Sequence, residues 1–251
     1  MTTCLNCGNS FEGNFCPSCG QKAGVKRITF SVFINEILHF FTHLEQGFFR
    51  TTIDFIIHPG STSLNYLKGK RKLYQQPVSY FFIWIGLYVI IHNLIINHYQ
   101  FHIYNEHQEQ LSLIDKGNIL LRTHFSLFFG PILFVSAFII YYILARPQFN
   151  FMETVTICLY GAGTYFMMLL VSDIILGLIF KINIITDSVF IYQTILSAIY
   201  NFWFCFDIFK RVHLRLLWIR LFTVAIVISI IGWLLMLYLP IGWMYLTSKH
   251  G

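Results

Sequence analysis

The sequence carries very little charge. Asp, Glu, Lys and Arg together make up 11% of its 251 residues, against about 25% in a typical soluble domain. Hydrophobic residues instead make up 56%, and Phe alone occupies 27 positions. Several apolar runs exceed the roughly 18 residues that mark a membrane-spanning helix. This composition excludes a water-soluble globular domain for most of the chain.

Sequence motifs that mark catalysis are missing as well. The chain contains no nucleophile elbow, no phosphate-binding glycine loop, no His-Glu-x-x-His motif and no paired catalytic carboxylates. Residues 1–30 contain no apolar signal-peptide core, so the first spanning helix is expected to act as the internal signal. We therefore predict a membrane protein that is not an enzyme.

Cysteine is scarce outside one short stretch, CLNCGNSFEGNFCPSCGQ at residues 4–21. Two Cys-x-x-Cys pairs, each followed by Gly, have the spacing of a tetrahedral Cys4 metal site, most often zinc. Iron remains the alternative, because CPSCG also resembles a rubredoxin knuckle. Cys158 and Cys205 lie alone in apolar runs, where a free cysteine behaves as a small hydrophobic residue. The four predicted metal ligands are Cys4, Cys7, Cys16 and Cys19.

Residues 1–24 are accordingly predicted to form a small zinc ribbon. About 24 residues cannot bury a core unaided, so metal binding is expected to supply the folding energy. A closed Cys4 site has no open coordination position, and we interpret the zinc as structural, with zinc sensing or redox chemistry as alternatives. Few basic residues precede Lys22, so nucleic-acid binding is not expected.

The opening stretch resembles a group of uncharacterised bacterial inner-membrane proteins, known only as a domain of unknown function, which begin with CxNCGxxFxGxFCPxCGQ. The stretches GFFRTTIDFIIHPG and YLKGKRKLYQQPVSYFF also resemble this family. The resemblance covers about residues 1–90; it implies a helical protein of the bacterial inner membrane and supplies no activity. The five predicted spans are also similar to Yip-type trafficking proteins, but only at the level of fold.

Residues 28–76 are predicted to form interfacial amphipathic helices and a basic juxtamembrane segment. Up to Gly47, apolar and polar residues fall on opposite helical faces, which is typical of a helix lying on the bilayer or against a bundle. Pro59 and Gly60 are expected to end a second helix, and Ser61–Ser63 to cap a short basic helix. Four basic residues there are predicted to contact anionic lipids and to set the topology: Lys68, Lys70, Arg71 and Lys72.

Residues 77–246 are predicted to form a five-helix transmembrane bundle, which makes the fold class an all-α polytopic membrane protein. Each span is near the roughly 20 residues that cross the bilayer core. Of the 17 basic residues, 13 lie on the side of the N-terminus, which predicts a cytoplasmic N-terminus and an external C-terminus. The ribbon would then face the reducing cytoplasm, where thiols bind metal. The predicted spans are about 78–97, 125–145, 154–180, 188–208 and 217–239.

Polar residues within the spans form a second candidate site. Asp173 lies inside the third span, where an acid is costly and faces the protein interior or a water-filled cavity. At about 1.5 Å per residue, His92, Asn93 and Gln193 lie at a similar depth in the outer half of the bundle. We interpret this layer either as a hydrogen-bond network that clamps helices or as a proton or ligand site.

A third polar group lies on the amphipathic segment. Glu36, His39 and His43 share one helical face, and His and Glu at this spacing can bind a metal. The solvated face of an interfacial helix is the preferred interpretation of these three residues.

Three functions follow from these features. The first is a non-enzymatic scaffold or adaptor whose zinc ribbon docks a cytoplasmic protein partner. The second is a small transporter or channel that uses the polar layer around Asp173. The third is an intramembrane enzyme, for which no catalytic set is recognisable. Membrane lipids are expected partners, and a homo-oligomer with a pore between protomers remains an alternative.

Overall fold

The computed structural model describes residues 1–38, 47–99, 125–182, 184 and 186–248. Two short strands, β1 (Thr2–Thr3) and β2 (Ser10–Phe11), pair antiparallel within the ribbon. The remainder of the described chain is mostly helical, as the sequence predicts. Its α-helices are α1 (Phe30–Leu38), α2 (Phe48–Ile57), α3 (Pro59–Leu67), α4 (Pro77–Tyr99), α5 (Phe125–Ile140), α6 (Phe151–Asp173), α7 (Asp187–Arg211) and α8 (Leu217–Ser248).

Helices α4 to α8 occupy the five stretches predicted as spans. Helices α5 and α6 each continue in π-helical turns, at Tyr141–Ala145 and Ile174–Ile179. Among the described residues, two helices are long and apolar enough to cross a membrane, Pro77–Ile96 and Phe151–Ile179. Shorter apolar helices cover Ile132–Ala145 and Leu217–Ile231. Helix α7 is less apolar because its two ends carry charged residues.

Close contact between α4 and α6 forms the centre of the bundle. Gly163 on α6 leaves room for the ring of Tyr80 and the backbone of Phe81 on α4. Gly161 leaves room in the same way for the ring of Phe204 on α7. The glycines of Gly161-Ala162-Gly163 therefore serve close helix packing, which is the role that their sequence context predicts.

Helices α2 and α3 pack against one end of this bundle. Phe55 of α2 is fully buried and stacks on Tyr160 of α6, with ring centroids 4.3 Å apart. Gly60 of α3 lies directly on the backbone of Asp207 in α7, where a Cβ atom would collide with the Asp207 carbonyl. These short helices are thus part of the bundle's packing.

The prediction of a short basic helix capped by Ser61–Ser63 is wrong. Helix α3 begins at Pro59, whose missing N–H suits a first helical position. The backbone N–H of Gly60 in that first turn donates to a carboxylate oxygen of Asp207 at 2.7 Å. The helix ends at Leu67, and the basic residues follow it in a turn where Gly69 has a φ of +98°.

Several predictions fall on residues that the structure does not describe. Residues 39–46 hold the second half of the predicted interfacial helix, including His39 and His43, and they lie outside the described ranges. The same holds for residues 100–124, which contain most of the predicted external loop.

The packing at Gly163 predicts the effect of adding one methyl group. In Gly163→Ala the new Cβ would lie 2.7 Å from the Tyr80 ring and 3.3 Å from the Cα of Phe81. Overpacking of this kind costs about 1–3 kcal/mol. We expect a lower free energy of unfolding in detergent, measured by chemical denaturation.

Gly86→Ala on α4 is the matched control, because no described residue from outside its own helical turn lies within 4 Å of its Cβ position. Alanine is also the better helix former by about 1 kcal/mol, so this variant should be at least as stable as the wild type. Equal destabilisation by the two substitutions would contradict the described contact between α4 and α6.

Candidate metal centre and buried polar site

The four ribbon cysteines converge on one point. The sulfur atoms of Cys4 and Cys19 lie 3.6 Å apart, as do those of Cys7 and Cys16. All four sulfur atoms lie within 4.8 Å of one another. A tetrahedral site with metal–sulfur bonds of about 2.3 Å requires sulfur separations of about 3.8 Å. The described arrangement fits a metal ion bound by four thiolates.

Backbone turns of the two knuckles bring the sulfurs together. The N–H of Gly8 donates to the carbonyl of Cys4 at 2.9 Å, and the N–H of Gly20 donates to that of Cys16 at 2.8 Å. Both glycines have a positive φ, +78° and +70°, which L side chains rarely adopt. The glycine after each Cys-x-x-Cys pair therefore closes its turn.

The ribbon lowers the thiol pKa of two ligands, Cys4 and Cys16, whereas burial and hydrogen bonds with the other cysteine sulfurs raise the pKa of Cys7. A backbone hydrogen bond from Cys7 to the sulfur of Cys4 lowers the pKa of the Cys4 thiol to about 7. The thiolate is the form that binds metal. Cys4 and Cys16 are buried in the ribbon together with Phe11, whereas Cys7 is exposed.

The ribbon is fixed to the rest of the chain through Gln21. This side chain is only 5% exposed. Its Nε2 donates to the carbonyl of Gly69 at 3.0 Å, and its Oε1 accepts from the backbone N–H groups of Arg71 and Lys72 at 3.1 and 3.3 Å. One amide thus satisfies three backbone groups of the turn that holds the basic residues.

This arrangement places the four predicted lipid-contacting residues beside the ribbon. Lys68 and Lys72 are exposed, and Lys70 is half-buried. Arg71 donates to the carbonyl of Lys26 at 2.9 Å and lies over the ring of Tyr66. Arg71 is therefore engaged by the protein, while the exposed lysines are free to meet solvent or head groups.

A second clamp joins the chain after the ribbon to the start of α6. Arg27 makes two hydrogen bonds to the carboxylate of Glu153, at 2.6 and 2.8 Å. Glu153 also accepts from the backbone of Asn150 in a capping box, and Asn150 donates to the carbonyl of Ile28. Ile28 is fully buried between these contacts.

The polar residues of the bundle meet towards the end opposite the ribbon. Asp173 of α6 is fully buried. One carboxylate oxygen lies 2.7 Å from Nδ1 of His92 on α4, and the other accepts from Nε2 of Gln193 on α7, also at 2.7 Å. The ring of Tyr88 stacks on the His92 ring, with centroids 5.0 Å apart. Three helices are therefore joined at one carboxylate.

Asn93, the fourth predicted member of this layer, does not join the group. Its amide donates to the carbonyl of Val89 one turn earlier on α4, at 2.9 Å. Successive side chains of a helix point in different directions. Asn93 can therefore lie at nearly the same depth as His92 without contacting Asp173.

A cavity of about 330 Å³ lies beside the carboxylate cluster. His92, Gln193 and Tyr88 form part of its wall, together with apolar residues of α5, α6, α7 and α8. Pockets of this size hold small organic ligands when a few polar groups fix their orientation. The arrangement can therefore bind a small molecule at His92 or hold a proton between His92 and Asp173.

The contacts that fix the ribbon join residues far apart in the sequence and were not predicted from it. Gln21 belongs to the ribbon motif, but its partner Gly69 lies 48 residues later in the chain. Arg27 and Glu153 are 126 residues apart. The acid at the start of α6 was an available signal for a cationic partner, although nothing in the sequence singled out Arg27.

The metal centre predicts a selective loss of metal. Cys16→Ser/Cys19→Ser removes two of the four sulfurs, so the metal content of purified protein should fall from about one ion per chain to almost none. Plasma mass spectrometry measures this directly. Cys158→Ser/Cys205→Ser is the control, because these cysteines lie in α6 and α7 and should leave the metal in place. Full metal retention by the ribbon variant would contradict the four-thiolate site.

The docking of the ribbon predicts a local change in hydrogen exchange. Gln21→Ala removes acceptors for the amides of Arg71 and Lys72, which should lower their protection by about 1 kcal/mol. Asn9→Ala is the control, because the exposed Asn9 side chain donates to Ser18 within the ribbon and has no described contact with the turn at Gly69. Unchanged exchange of Arg71 and Lys72 in Gln21→Ala would show that the ribbon is not held by this side chain.

Residues 45–89 match the model of a family described as a protein of unknown function, DUF3667. This range covers α2, α3, the basic turn and the first half of α4, which include both downstream stretches quoted above. No curated protein and no solved structure matches the chain. The predicted resemblance to an uncharacterised family is thereby confirmed.

Proposed function

We propose that this chain is an integral membrane protein that binds a small solute in its helical bundle and moves it across the bilayer. The observation that carries the proposal is the fully buried carboxylate of Asp173, held by two helices at the wall of a cavity of about 330 Å³. A buried intramembrane acid beside open space marks a solute or proton path more often than an acid packed in a closed core.

Exposed apolar side chains support a membrane location. On α7, Ile191, Ile195 and Ile199 follow one another at four-residue spacing, and each is more than half exposed. On α8, Phe222 and Ile226 are exposed in the same way. Such faces are unfavourable in water and suit the hydrocarbon of a bilayer. We extend this to all five helices, α4 to α8, as spans.

The proposed topology keeps the ribbon in the cytoplasm of a bacterial cell, with the bundle in its inner membrane. The clamp between Arg27 and Glu153 and the contact between Gly60 and Asp207 put the ribbon, the start of α6 and the end of α7 at one end of the bundle. Lys68 and Lys72 are exposed at this end, where they would contact anionic lipid. We propose structural zinc as the ribbon's metal, since four thiolates in a reducing compartment favour it.

Transport is tested with proteoliposomes. Wild-type and variant proteins are reconstituted around a pH-sensitive dye, and dye response is followed after adding small amines and carboxylates outside, which take up or release a proton on entry. Asp173→Asn keeps the shape of the side chain but removes its charge, so flux should fall at least about tenfold, as for loss of a charge-assisted bond.

Asn93→Ala is the matched control. Asn93 lies beside His92 on the same helix, yet within the described residues its side-chain amide bonds to the Val89 carbonyl and not to the carboxylate cluster, so flux should be unchanged. Wild-type liposomes that respond like empty liposomes to every solute, or full flux in Asp173→Asn, would contradict the transport proposal.

A cytoplasmic adaptor is the second candidate function. The ribbon exposes Phe15 by 61% and Leu5 by 50%, which are apolar surfaces suited to a protein partner. We compare affinity purifications of wild type and Cys16→Ser/Cys19→Ser at matched membrane levels, followed by mass spectrometry. Specific loss of a co-purifying protein in the variant would support the adaptor; identical protein sets would contradict it.

A further inference from the structure

The cavity beside the carboxylate cluster is long and narrow. Its wall on α6 extends from Ile157 to Leu169, a length of about 18 Å at 1.5 Å per residue. The volume of about 330 Å³ spread over this length gives a mean cross-section of about 18 Å². Apolar carbon atoms pack with centres about 4.0–4.5 Å apart, so one hydrocarbon chain occupies roughly 16–20 Å². The shape therefore fits a single extended chain.

The wall of this cavity is mostly apolar. Asp, Glu, Lys and Arg do not occur among the described residues that line it. Two of its polar side chains are already bonded within the protein: Asn201 donates to Ser197 of the same helix at 2.9 and 3.3 Å, and Gln193 donates to Asp173 at 2.7 Å. A buried water needs about two to four polar partners, whereas a hydrocarbon gains dispersion contacts with an apolar wall. The wall favours an apolar ligand over water or a charged solute.

The cavity opens sideways between α7 and α8. Two residues of each helix line the cavity and are also exposed at the surface, so within the described part of the chain they border its opening. These residues are Ala198 and Asn201 on α7, and Ala225 and Ser229 on α8. Their side chains are small or of medium size, which leaves the gap between the two helices unfilled.

Aromatic contacts join α7 and α8 on the ribbon side of this opening. Phe206 packs on Trp218 with ring centroids 5.0 Å apart, and Phe202 packs on Phe222 at 5.7 Å. Beside the opening, Ile195 of α7 and Ile226 of α8 are exposed, on the faces that we assign to the bilayer hydrocarbon. A hydrocarbon chain in the bilayer can therefore reach the cavity without crossing a polar surface.

We propose that the cavity holds one acyl chain of a membrane lipid, which enters sideways between α7 and α8. The inference rests on the proposed function, because it requires the bundle to lie in the bilayer, and it names the ligand class of the proposed solute site. The ligand is an amphiphile whose chain lies along α6.

Photo-crosslinking in proteoliposomes tests this assignment. The full chain is reconstituted in phosphatidylcholine that contains a small share of a phosphatidylcholine with a diazirine group midway along one acyl chain. After illumination and digestion, mass spectrometry locates the attached lipid. A chain in the cavity should label Cys158 and Ala162, which line it from the central helix α6, in addition to outward residues such as Ile195. Lipid that only surrounds the protein should label the outward residues alone.

Two variants close the opening from its two sides. Ala198→Phe on α7 and Ser229→Phe on α8 each place a ring at the border of the cavity, so labelling of Cys158 and Ala162 should be lost while outward residues remain labelled. Ile195→Phe is the matched control, because it adds the same ring to α7 at an exposed position that does not line the cavity. Labelling of α6 should be unchanged in this control.

Wild-type labelling confined to outward residues would overturn the proposal, and this result does not depend on the folding of any variant. Labelling of α6 that persists in both closing variants, or that is lost equally in Ile195→Phe, would overturn it as well. Labelling of α6 in a protein without flux in the dye assay would contradict transport alone and leave the chain site standing. Flux that depends on Asp173 without labelling of α6 would support transport and overturn the chain site.

Discussion

The hydrogen bonds of one buried carboxylate determine how the helices are arranged in the outer half of this bundle. A carboxyl group in an apolar interior is tolerated only when neighbouring groups satisfy its oxygens with hydrogen bonds. Asp173 meets this requirement through His92 on α4 and Gln193 on α7, both at 2.7 Å. Because the two partners come from different helices, the carboxylate fixes the relative positions of α4, α6 and α7. The cavity lies beside this carboxylate, and its walls include residues of the three helices.

The other end of the bundle is held by a separate set of polar contacts. The ribbon contributes the amide of Gln21, and the following segment contributes Arg27. Asp207 completes the set by accepting from the backbone of Gly60. All three contacts join residues that are far apart in the chain, so the ribbon is part of the folded unit. Its metal would therefore stabilise the turn carrying the basic residues as well as the ribbon itself.

Local sequence patterns predicted those features of the structure that depend on residues close together in the chain. The spacing of Cys4, Cys7, Cys16 and Cys19 predicted one metal-sized cluster, and the apolar runs predicted the positions of α4 to α8. Depth along the helices also indicated that His92 and Gln193 would lie near Asp173, although it did not exclude Asn93, since rotation about a helix axis is not fixed by depth. Long-range pairings such as Gln21 with Gly69 have no local signature. The basic segment was predicted as a helix because Ser61–Ser63 could serve as its N-cap, whereas Pro59 and Gly69 determine where the helix begins and ends.

The central claim is that Asp173 joins α4 and α6 inside the bundle by holding Nδ1 of His92 in a hydrogen bond of 2.7 Å. Solid-state ¹⁵N NMR of histidine-labelled protein in lipid tests this directly, with the His92 signals identified by their loss in His92→Gln. We predict that one ring nitrogen of His92 shows the signal of a strong hydrogen bond to the carboxylate, and that this signal changes in Asp173→Asn. Signals of an unrestrained mixture of ring tautomers, unaffected by Asp173→Asn, would contradict the account.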